Sequence, residues 1–361
     1  MTTQSLQPIL ITGSGDHQIL WNWFDLYESR LAIIGDNNES NKQQHLKKIA
    51  EELTKKDPKT VFWIKSEEAS VNDDYDSLDY YNLMEFEQVP TENVRGKEEF
   101  DRKRMDFVQL FLETISLVKG ESRLSLIPLT SYRENVEGPL MGYVRALEKI
   151  DDEEKREWLS YQFDSLGKIE WKYFQGEGYQ YLYQNGTVEE TLLSFLKGIW
   201  SYWALTSNLA EPQQMLLIIE VPKQLTDMAA PKEVKAIIQK LLASTIALTE
   251  EITLATIVST ETFFPIPELN MRHHLYFKYN SSDFDWREEE KRSYFPDELM
   301  KMWEAGSNNA AFLVDLATGN ALITDHMNIE LYNPDKEALK QEAIEQEEGE
   351  QEEEKENIDT L

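Results

Sequence analysis

The chain contains no cysteine and relatively few basic residues, and each shortage excludes a class of site. Without cysteine, its 361 residues can form neither disulfide bonds nor thiolate metal centres, which fits a reducing compartment. The 67 acidic residues outnumber the 36 basic ones and give a net charge of −31. Because such a surface repels a phosphate backbone, we do not expect direct binding of nucleic acid, whereas a basic protein partner is easily accommodated.

Long apolar runs are also missing. No stretch approaches the roughly 20 residues that a membrane-spanning helix needs, and the first five residues are not a basic segment followed by an apolar one, as a signal peptide would be. We therefore expect a cytoplasmic protein without a membrane span. Hydrophobic residues make up 41% of the chain and aromatic residues 11%, which is enough for a large α/β core.

Apolar segments alternate with a helical pattern in the way that is typical of α/β proteins. Residues 7–28 predict a hairpin, and residues 29–64 predict a strand, a loop, a helix and a second strand. Such a strand-helix-strand unit implies a parallel sheet. Further buried strands are predicted at residues 215–221, 252–258 and 274–279, and a hairpin at residues 311–324.

The first strand and helix enclose a segment with the shape of a phosphate-binding loop but without its chemistry. A working loop reads G-x-x-x-x-G-K-[ST], in which the lysine contacts the phosphates and the hydroxyl binds magnesium. Placed on Gly35, this pattern puts Ser40 at the second glycine, Asn41 at the lysine and Lys42 at the hydroxyl. Two acidic residues of the intervening segment carry negative charge where the phosphates would lie.

The other segments follow this stretch in a characteristic order. A hairpin precedes the strand at 31–35, a helical insertion follows, and an apolar strand with one acidic residue occupies 216–221. A helix, the segment Leu-Ala-Thr-Ile at 254–257 and a later strand beside an arginine at 271–278 complete the order. This order resembles the FtsK/HerA-type ATPases, which include DNA translocases and the coupling proteins of bacterial conjugation. The resemblance covers roughly residues 7–334 and implies a RecA-like P-loop core with a mainly parallel central sheet.

The resemblance also implies a domain organisation. Residues 1–28 form an N-terminal hairpin, and residues 29–334 form the degenerate ATPase-like domain with a helical insertion at about 98–205. Within that insertion the glycine-flanked stretch 176–186 predicts a loop, and the acidic segment 66–93 before it predicts a solvated loop. The charged, low-complexity composition of residues 335–361 predicts an acidic, disordered tail. Its last 21 residues carry ten acids and one base, which leaves −22 of the net charge on the rest of the chain.

The positions that carry catalysis in this family are replaced here. By resemblance, Glu220 takes the place of the aspartate that binds magnesium, and Val221 takes the place of the glutamate that orients the attacking water. Ile257 takes the place of a glutamine, and Arg272 resembles an arginine finger offered to a neighbouring subunit. Losing both the lysine and the glutamate leaves little room for hydrolysis. We therefore predict no catalytic residue, no metal site and no cofactor, although ATP with magnesium is what the family uses.

Three functions remain open from the sequence. The first is an inactive ATPase-like protein that serves as a structural or regulatory subunit of a DNA-translocation, conjugation or mobile-element system, beside an active homologue or a basic partner. The second is a degenerate nucleotide-binding protein or weak ATPase, in which Lys42 or Lys47 replaces the missing lysine. The third is an unrelated acidic α/β module that binds proteins and matches the family by chance.

Overall fold

A computed structural model of the chain describes the following residues: 7–13, 18–25, 29–35, 41–55, 61–66, 77–82, 114, 152–154, 156–157, 161, 168–174, 176–207, 215–227, 229–251, 255–261, 271–277, 311–315, 321–324 and 327–333. Most of the predicted insertion and the whole of the predicted acidic tail, residues 335–361, lie outside these ranges. The predicted helix at 98–118 also lies outside them, apart from Thr114.

Within these ranges the regular elements are the following. The strands are β1 (Ile9–Thr12), β2 (Gln18–Trp21), β3 (Arg30–Ile34), β4 (Val61–Ser66), β5 (Ser77–Asn82), β6 (Lys168–Phe174), β7 (Gly178–Tyr183), β8 (Leu216–Glu220), β9 (Ala255–Thr260), β10 (His273–Phe277), β11 (Ala311–Asp315), β12 (Ala321–Thr324) and β13 (Asn328–Leu331). The helices are α1 (Lys42–Thr54), α2 (Val188–Ser207), α3 (Lys223–Thr226) and α4 (Lys232–Glu251). Of the helices that the structure describes, none combines the length and apolarity that crossing a bilayer requires.

Ten of the described strands form one sheet in the order β12-β11-β10-β3-β9-β8-β4-β7-β6-β5. The six neighbours from β10 to β7 run parallel to one another. Antiparallel strands extend the sheet at both sides, with β11 and β12 beyond β10 and with β6 and β5 beyond β7. The predicted α/β fold with a mainly parallel central sheet is therefore confirmed.

The strand-helix-strand unit of β3, α1 and β4 is present, but its two strands are not neighbours. Strands β9 and β8 lie between them, although they come about 200 residues later in the chain. The strand-helix-strand pattern in the sequence predicts that its two strands are parallel. It does not predict which distant strands lie between them in the sheet.

Helices cover both faces of the sheet. On one face, α1 places Leu46, Ile49 and Leu53 against Ile33 and Trp63, and all five side chains are buried. On the other face, α2 contacts β4 and β7, where the ring of Tyr202 meets the edge of the Phe62 ring and Phe62 in turn stacks on Tyr179. This alternation of inward and outward side chains along each strand explains why the parallel strands read as continuous apolar runs.

Three predictions between residues 66 and 186 are wrong. Residues 168–174 were expected in a helix and 178–183 in a loop, whereas they form the antiparallel pair β6 and β7. Part of the expected acidic loop, Ser77–Asn82, is the edge strand β5. The turn between β6 and β7 requires positive φ angles of 81° at Gly176 and 85° at Gly178, which glycine adopts at little cost. Tyrosine at every second position of β7 was the missed strand signal.

A second, three-stranded sheet joins both ends of the described chain. Strand β1 pairs antiparallel with β2, in the segment where the sequence predicts a hairpin, and β13 pairs with the other side of β1. The amide of Tyr332 donates to the carbonyl of Pro8 at 2.9 Å. Ile9, Ile11 and Ile329 pack into the same core as the face of the main sheet under α1. The division into domains at residues 28 and 334 stays a prediction.

The turn before β7 offers a matched pair of substitutions. Both glycines have positive φ, so alanine at either position costs about 1–2 kcal/mol of backbone strain. A Cβ at Gly178 would also lie 2.6 Å from the carbonyl oxygen of Val61, whereas the nearest atom to a Cβ at Gly176 is 3.8 Å away. We expect Gly178→Ala to lower the free energy of unfolding by about 1–3 kcal/mol more than Gly176→Ala, as measured by urea denaturation. Equal losses would contradict the close contact with Val61.

Candidate functional site

Four of the sequence-predicted positions, Gly35, Lys42, Glu220 and Val221, lie at the edge of the sheet where the parallel strands β3, β9, β8 and β4 end. In open parallel sheets this carboxyl edge is where ligands bind. Helix α1 begins beside it, after the residues that follow β3. The edge therefore has the placement of a nucleotide site, and its side chains decide what it can do.

Gly35 follows β3 directly, and its identity is explained by packing. Its amide donates to the carbonyl of Thr260 at 3.1 Å, which extends the pairing of β3 with β9. A Cβ at this position would lie 2.6 Å from the Cβ of Phe277 on β10, closer than two carbons can approach. Ser40 lies outside the described residues. Asn41 precedes α1, where its carbonyl accepts from the amide of His45, and its side chain does not cap the helix.

Lys42 is the first residue of α1 and brings its amine to this edge. The side chain is 1% exposed, and its Nζ donates to the carbonyl oxygen of Thr260 at 3.0 Å. A buried ammonium group requires such partners, because leaving water without them is costly. The amine at the start of α1 thus belongs to Lys42, one residue after the position that the motif assigns to a lysine.

Glu220 ends β8, and donors contact both oxygens of its carboxylate. Trp63 Nε1 donates to Oε1 at 2.6 Å, and Gln43 Nε2 donates to Oε2 at 2.6 Å. Trp63 lies on β4 and Gln43 on α1, so the carboxylate ties the helix to two strands of the sheet. Hydrogen bonds to an ionised group are shorter and stronger than neutral ones, in agreement with these distances.

Burial raises the pKa of Glu220 above its ordinary value of 4.5. The charges of Lys42 and Lys65 and the hydrogen bonds from Gln43 and Trp63 act in the opposite direction, and burial outweighs them. The carboxylate is therefore stabilised by its neighbours less than water would stabilise it.

Val221 and Ile257 contribute apolar side chains. Val221 is buried, and its amide donates to the carbonyl of Ser259 at 2.8 Å. A valine cannot accept a proton or orient a water molecule as a glutamate does. Ile257 lies inside β9, paired with Leu31 and Ile218, and belongs to the core.

The sequence analysis missed Ser259, which occupies the edge that Ile257 does not reach. It pairs with Glu220 in the register of β9 and β8. Strand β9 continues to Thr260, so it ends three residues beyond Ile257, the position that the resemblance selects. A serine in an apolar strand belongs to no recognised motif. Only the length of β9 shows that Ser259 lies near the end of the strand.

Arg272 lies at the other edge of the sheet. It precedes β10, whose first residue pairs with Leu31 near the start of β3. Its guanidinium makes a bidentate ion pair with Asp315, with both donor–acceptor distances at 3.1 Å. The structure thus brings Gly35, Lys42, Glu220 and Val221 together and leaves Arg272 apart from them.

A cavity of about 520 Å³ opens at the carboxyl edge. Its lining includes Lys42, Glu220, Val221 and Ser259, together with Tyr183 at the end of β7. Three further charged residues, Lys223, Asp227 and Glu261, also line it. Among the residues that the structure describes, no group of three or more side chains has the arrangement of a metal site.

Comparison with known proteins gives matches of structure only. The chain matches no protein-family model and no curated protein sequence. Its structure is similar to the genome packaging NTPase B204 from Sulfolobus turreted icosahedral virus 2 in complex with AMPPCP, at 8% identity and a TM-score of 0.34, over 82% of this chain and 97% of that chain. It is also similar to EssC (ATPases 2 and 3) from Geobacillus thermodenitrificans, at 9% identity and a TM-score of 0.34, over 90% of this chain and 44% of that chain.

Because both TM-scores are low, the fold assignment rests on the sheet itself. Strand β9 separates β3 from β8, and β10 lies on the far side of β3. The fold is RecA-like. The strand order and the strand-helix-strand unit around Gly35 agree with the RecA-like fold predicted from the sequence, and the absence of that unit would have favoured an unrelated α/β module.

The hydrogen bond from Trp63 to Glu220 can be isolated by a double-mutant cycle. Trp63→Phe removes the donor but also shrinks a core side chain, so the single substitution alone is ambiguous. When Trp63→Phe is made in a Glu220→Gln background, the core loses the same volume, but no charged acceptor is present. We expect a coupling energy of about 1.5–3 kcal/mol in urea unfolding, the range for hydrogen bonds to ionised groups. Additive losses would show that this bond does not stabilise the carboxylate.

The raised pKa of Glu220 predicts a specific dependence of stability on pH. Because the folded state holds this proton more tightly than the unfolded state, the destabilisation is complete above the folded pKa and is relieved as pH falls toward 4.5. We expect the free energy of unfolding of the native protein, relative to Glu220→Gln, to rise as pH falls from neutrality to 4.5. Urea unfolding at a series of pH values measures this difference.

Glu177 serves as the control, because its pKa is shifted in the opposite direction to that of Glu220. Burial raises the pKa of its carboxyl group, but the hydrogen bond from Lys47 and the charge of Lys65 outweigh burial and lower it. Its stabilising contribution is therefore lost as pH falls through the folded pKa. The native protein should lose stability relative to Glu177→Gln over the acidic range. If both variants changed in the same direction, the assignment of the Glu220 shift would be wrong.

Proposed function

We propose that this chain is an ATPase-like protein that does not hydrolyse nucleotide and acts as a structural or regulatory subunit. One observation carries the proposal: the carboxylate of Glu220 is held by Trp63 and Gln43, and the next residue is Val221. Hydrolysis of a nucleoside triphosphate needs a metal held at the phosphates and a group that positions water. Here the acidic group is engaged within the protein, and the next side chain is apolar.

The charges around the cavity also disfavour a triphosphate. Three carboxylates, those of Glu220, Asp227 and Glu261, line the cavity together with two amines, those of Lys42 and Lys223. The amine of Lys42 donates to a backbone carbonyl of the protein. A triphosphate would bring several more negative charges into a partly buried site that already carries a net negative charge, where like charges repel strongly.

The fold and the negative charge of the chain support a role as a subunit when nucleotide hydrolysis is absent. The chain as a whole carries a net charge of −31, which favours association with a basic protein, and its ATPase-like fold favours association with an active homologue. In line with the sequence resemblance, we place this role in a DNA-translocation, conjugation or mobile-element system. The partner itself is identified only by this chemistry.

A second candidate function is supported by Lys42. Its amine lies at the start of α1 and lines a cavity of about 520 Å³, which is large enough for part of a nucleotide. In this alternative the amine leaves the carbonyl of Thr260 and contacts a phosphate, and the chain senses nucleotide without turning it over. The two candidates differ in whether magnesium-ATP binds at all.

Thermal unfolding with and without Mg-ATP, Mg-ADP and a non-hydrolysable analogue tests the proposal. A ligand that binds the folded state at 100 times its Kd adds about 2.7 kcal/mol of stability. We expect no shift of Tm for the native protein and no release of phosphate. The Asn41→Lys variant, which restores lysine at the motif position, serves as the comparison for a gain of binding.

A magnesium-dependent rise in Tm of the native protein would overturn the proposal. If that rise disappeared in Lys42→Met, the second candidate would be correct, since methionine keeps the length of the side chain and removes only the amine. If the rise persisted in Lys42→Met, nucleotide would be bound elsewhere, and neither candidate would describe the site.

A further inference from the structure

The cavity at the carboxyl edge contains a polar group that the protein itself does not satisfy. Ser259 is 1% exposed, and its Oγ has no hydrogen-bond partner among the residues that the structure describes. Its side chain lines the cavity, next to Glu220 across the β8–β9 pair. An unsatisfied buried hydroxyl costs free energy. A ligand group that enters the cavity and forms a hydrogen bond with the Oγ of Ser259 would recover that free energy.

The charged side chains that line the cavity determine which charge a bound ligand group should have. The positive charge of Lys42 acts on Glu220 and balances it in part. The other charged side chains of the lining are one amine, Lys223, and two carboxylates, Asp227 and Glu261. The part of the lining that the structure describes therefore holds three carboxyl groups against two amines, within a protein whose own net charge is −31. A positively charged group is favoured by both the local and the overall field.

Tyr183 reports the same negative potential. Burial raises the pKa of its phenol well above 10.0, and the charges of Glu220 and Glu261 raise it further. The phenol keeps its proton at neutral pH and contributes no charge of its own. The cavity thus combines a neutral phenol, an unsatisfied hydroxyl and an excess of carboxylate.

We propose that this cavity binds the guanidinium group of an arginine side chain from a partner protein. The inference rests on the proposed function, in which no nucleotide occupies the edge. A guanidinium is planar, always charged and carries five N–H donors, so it can contact a hydroxyl and a carboxylate together. Its donors match Ser259 and Glu261, which lie two residues apart at the end of β9. A volume of about 520 Å³ lies within the range of specific ligand sites and admits the side chain with its flanking backbone.

The probe for this site is N-acetyl-arginine amide, and its matched control is the corresponding citrulline compound. Citrulline has nearly the same shape but carries a neutral urea group, so the pair isolates the charge. A blocked Gly-Arg-Gly peptide adds the backbone that a protein partner would bring. Isothermal titration and NMR titration at constant ionic strength measure binding to the full chain. We expect saturable binding of both arginine compounds and no saturable binding of the citrulline compound.

Two substitutions locate the site. Ser259→Ala and Glu261→Gln should each weaken binding of the arginine compounds by at least about tenfold, because each removes a partner of a charged hydrogen bond. Ser259→Ala removes a hydroxyl that is unsatisfied in the free protein, so we expect Tm to stay the same or to rise. Glu233→Gln, on helix α4 and outside the cavity lining, removes one negative charge as Glu261→Gln does and should leave binding unchanged.

Several outcomes would overturn the inference. They are the absence of saturable binding by the arginine compounds, equal binding of the citrulline compound, and binding that Ser259→Ala and Glu261→Gln leave unchanged. Binding of the blocked amino acid but not of the peptide would exclude a protein as the source of the guanidinium. If neither arginine nor Mg-ATP binds, this inference fails while the proposed function stands. If Mg-ATP binds at this edge, the proposed function fails as well.

Discussion

The arrangement of this protein depends on a pair of opposite charges buried between one helix and the end of the sheet. Helix α1 supplies Lys42 and Gln43, and the sheet supplies Glu220, Trp63 and the carbonyl of Thr260. Removing charges from water is costly, and the geometry must compensate with hydrogen bonds. Here the side chains of the chain supply both signs.

Much of the fold was readable from the sequence because the central strands are apolar along their whole length. The segments of β3, β8, β9 and β10 were predicted close to their observed bounds, and the helix α1 was predicted within residues 29–64. The β6–β7 pair was not, since its strands are rich in aromatic and charged residues and its turn depends on the conformation of two glycines. The order of strands was beyond any local pattern, because it is decided by contacts between distant segments.

Residues of the candidate site could be predicted from the sequence only where they occupy a position of a known motif. Gly35, Glu220 and Val221 were found because they follow strands in a known order, and the structure brings them to one edge with Lys42. Ser259 carries no such mark, and its importance comes from a buried hydroxyl that none of the described residues satisfies. The donors that hold Glu220 were equally invisible, since Trp63 reads as an ordinary core residue and Gln43 as an ordinary helix residue.

The position of β3 in the middle of the sheet has a consequence for synthesis on the ribosome. Both of its neighbours, β9 and β10, are encoded more than 200 residues after it. At about 5–20 residues per second, the apolar stretch 31–34 emerges roughly 10–40 seconds before either neighbour exists to pair with it. Co-translational folding therefore cannot begin at the centre of this sheet. The nascent chain must keep this buried strand out of competing contacts until residues 255–277 have been made.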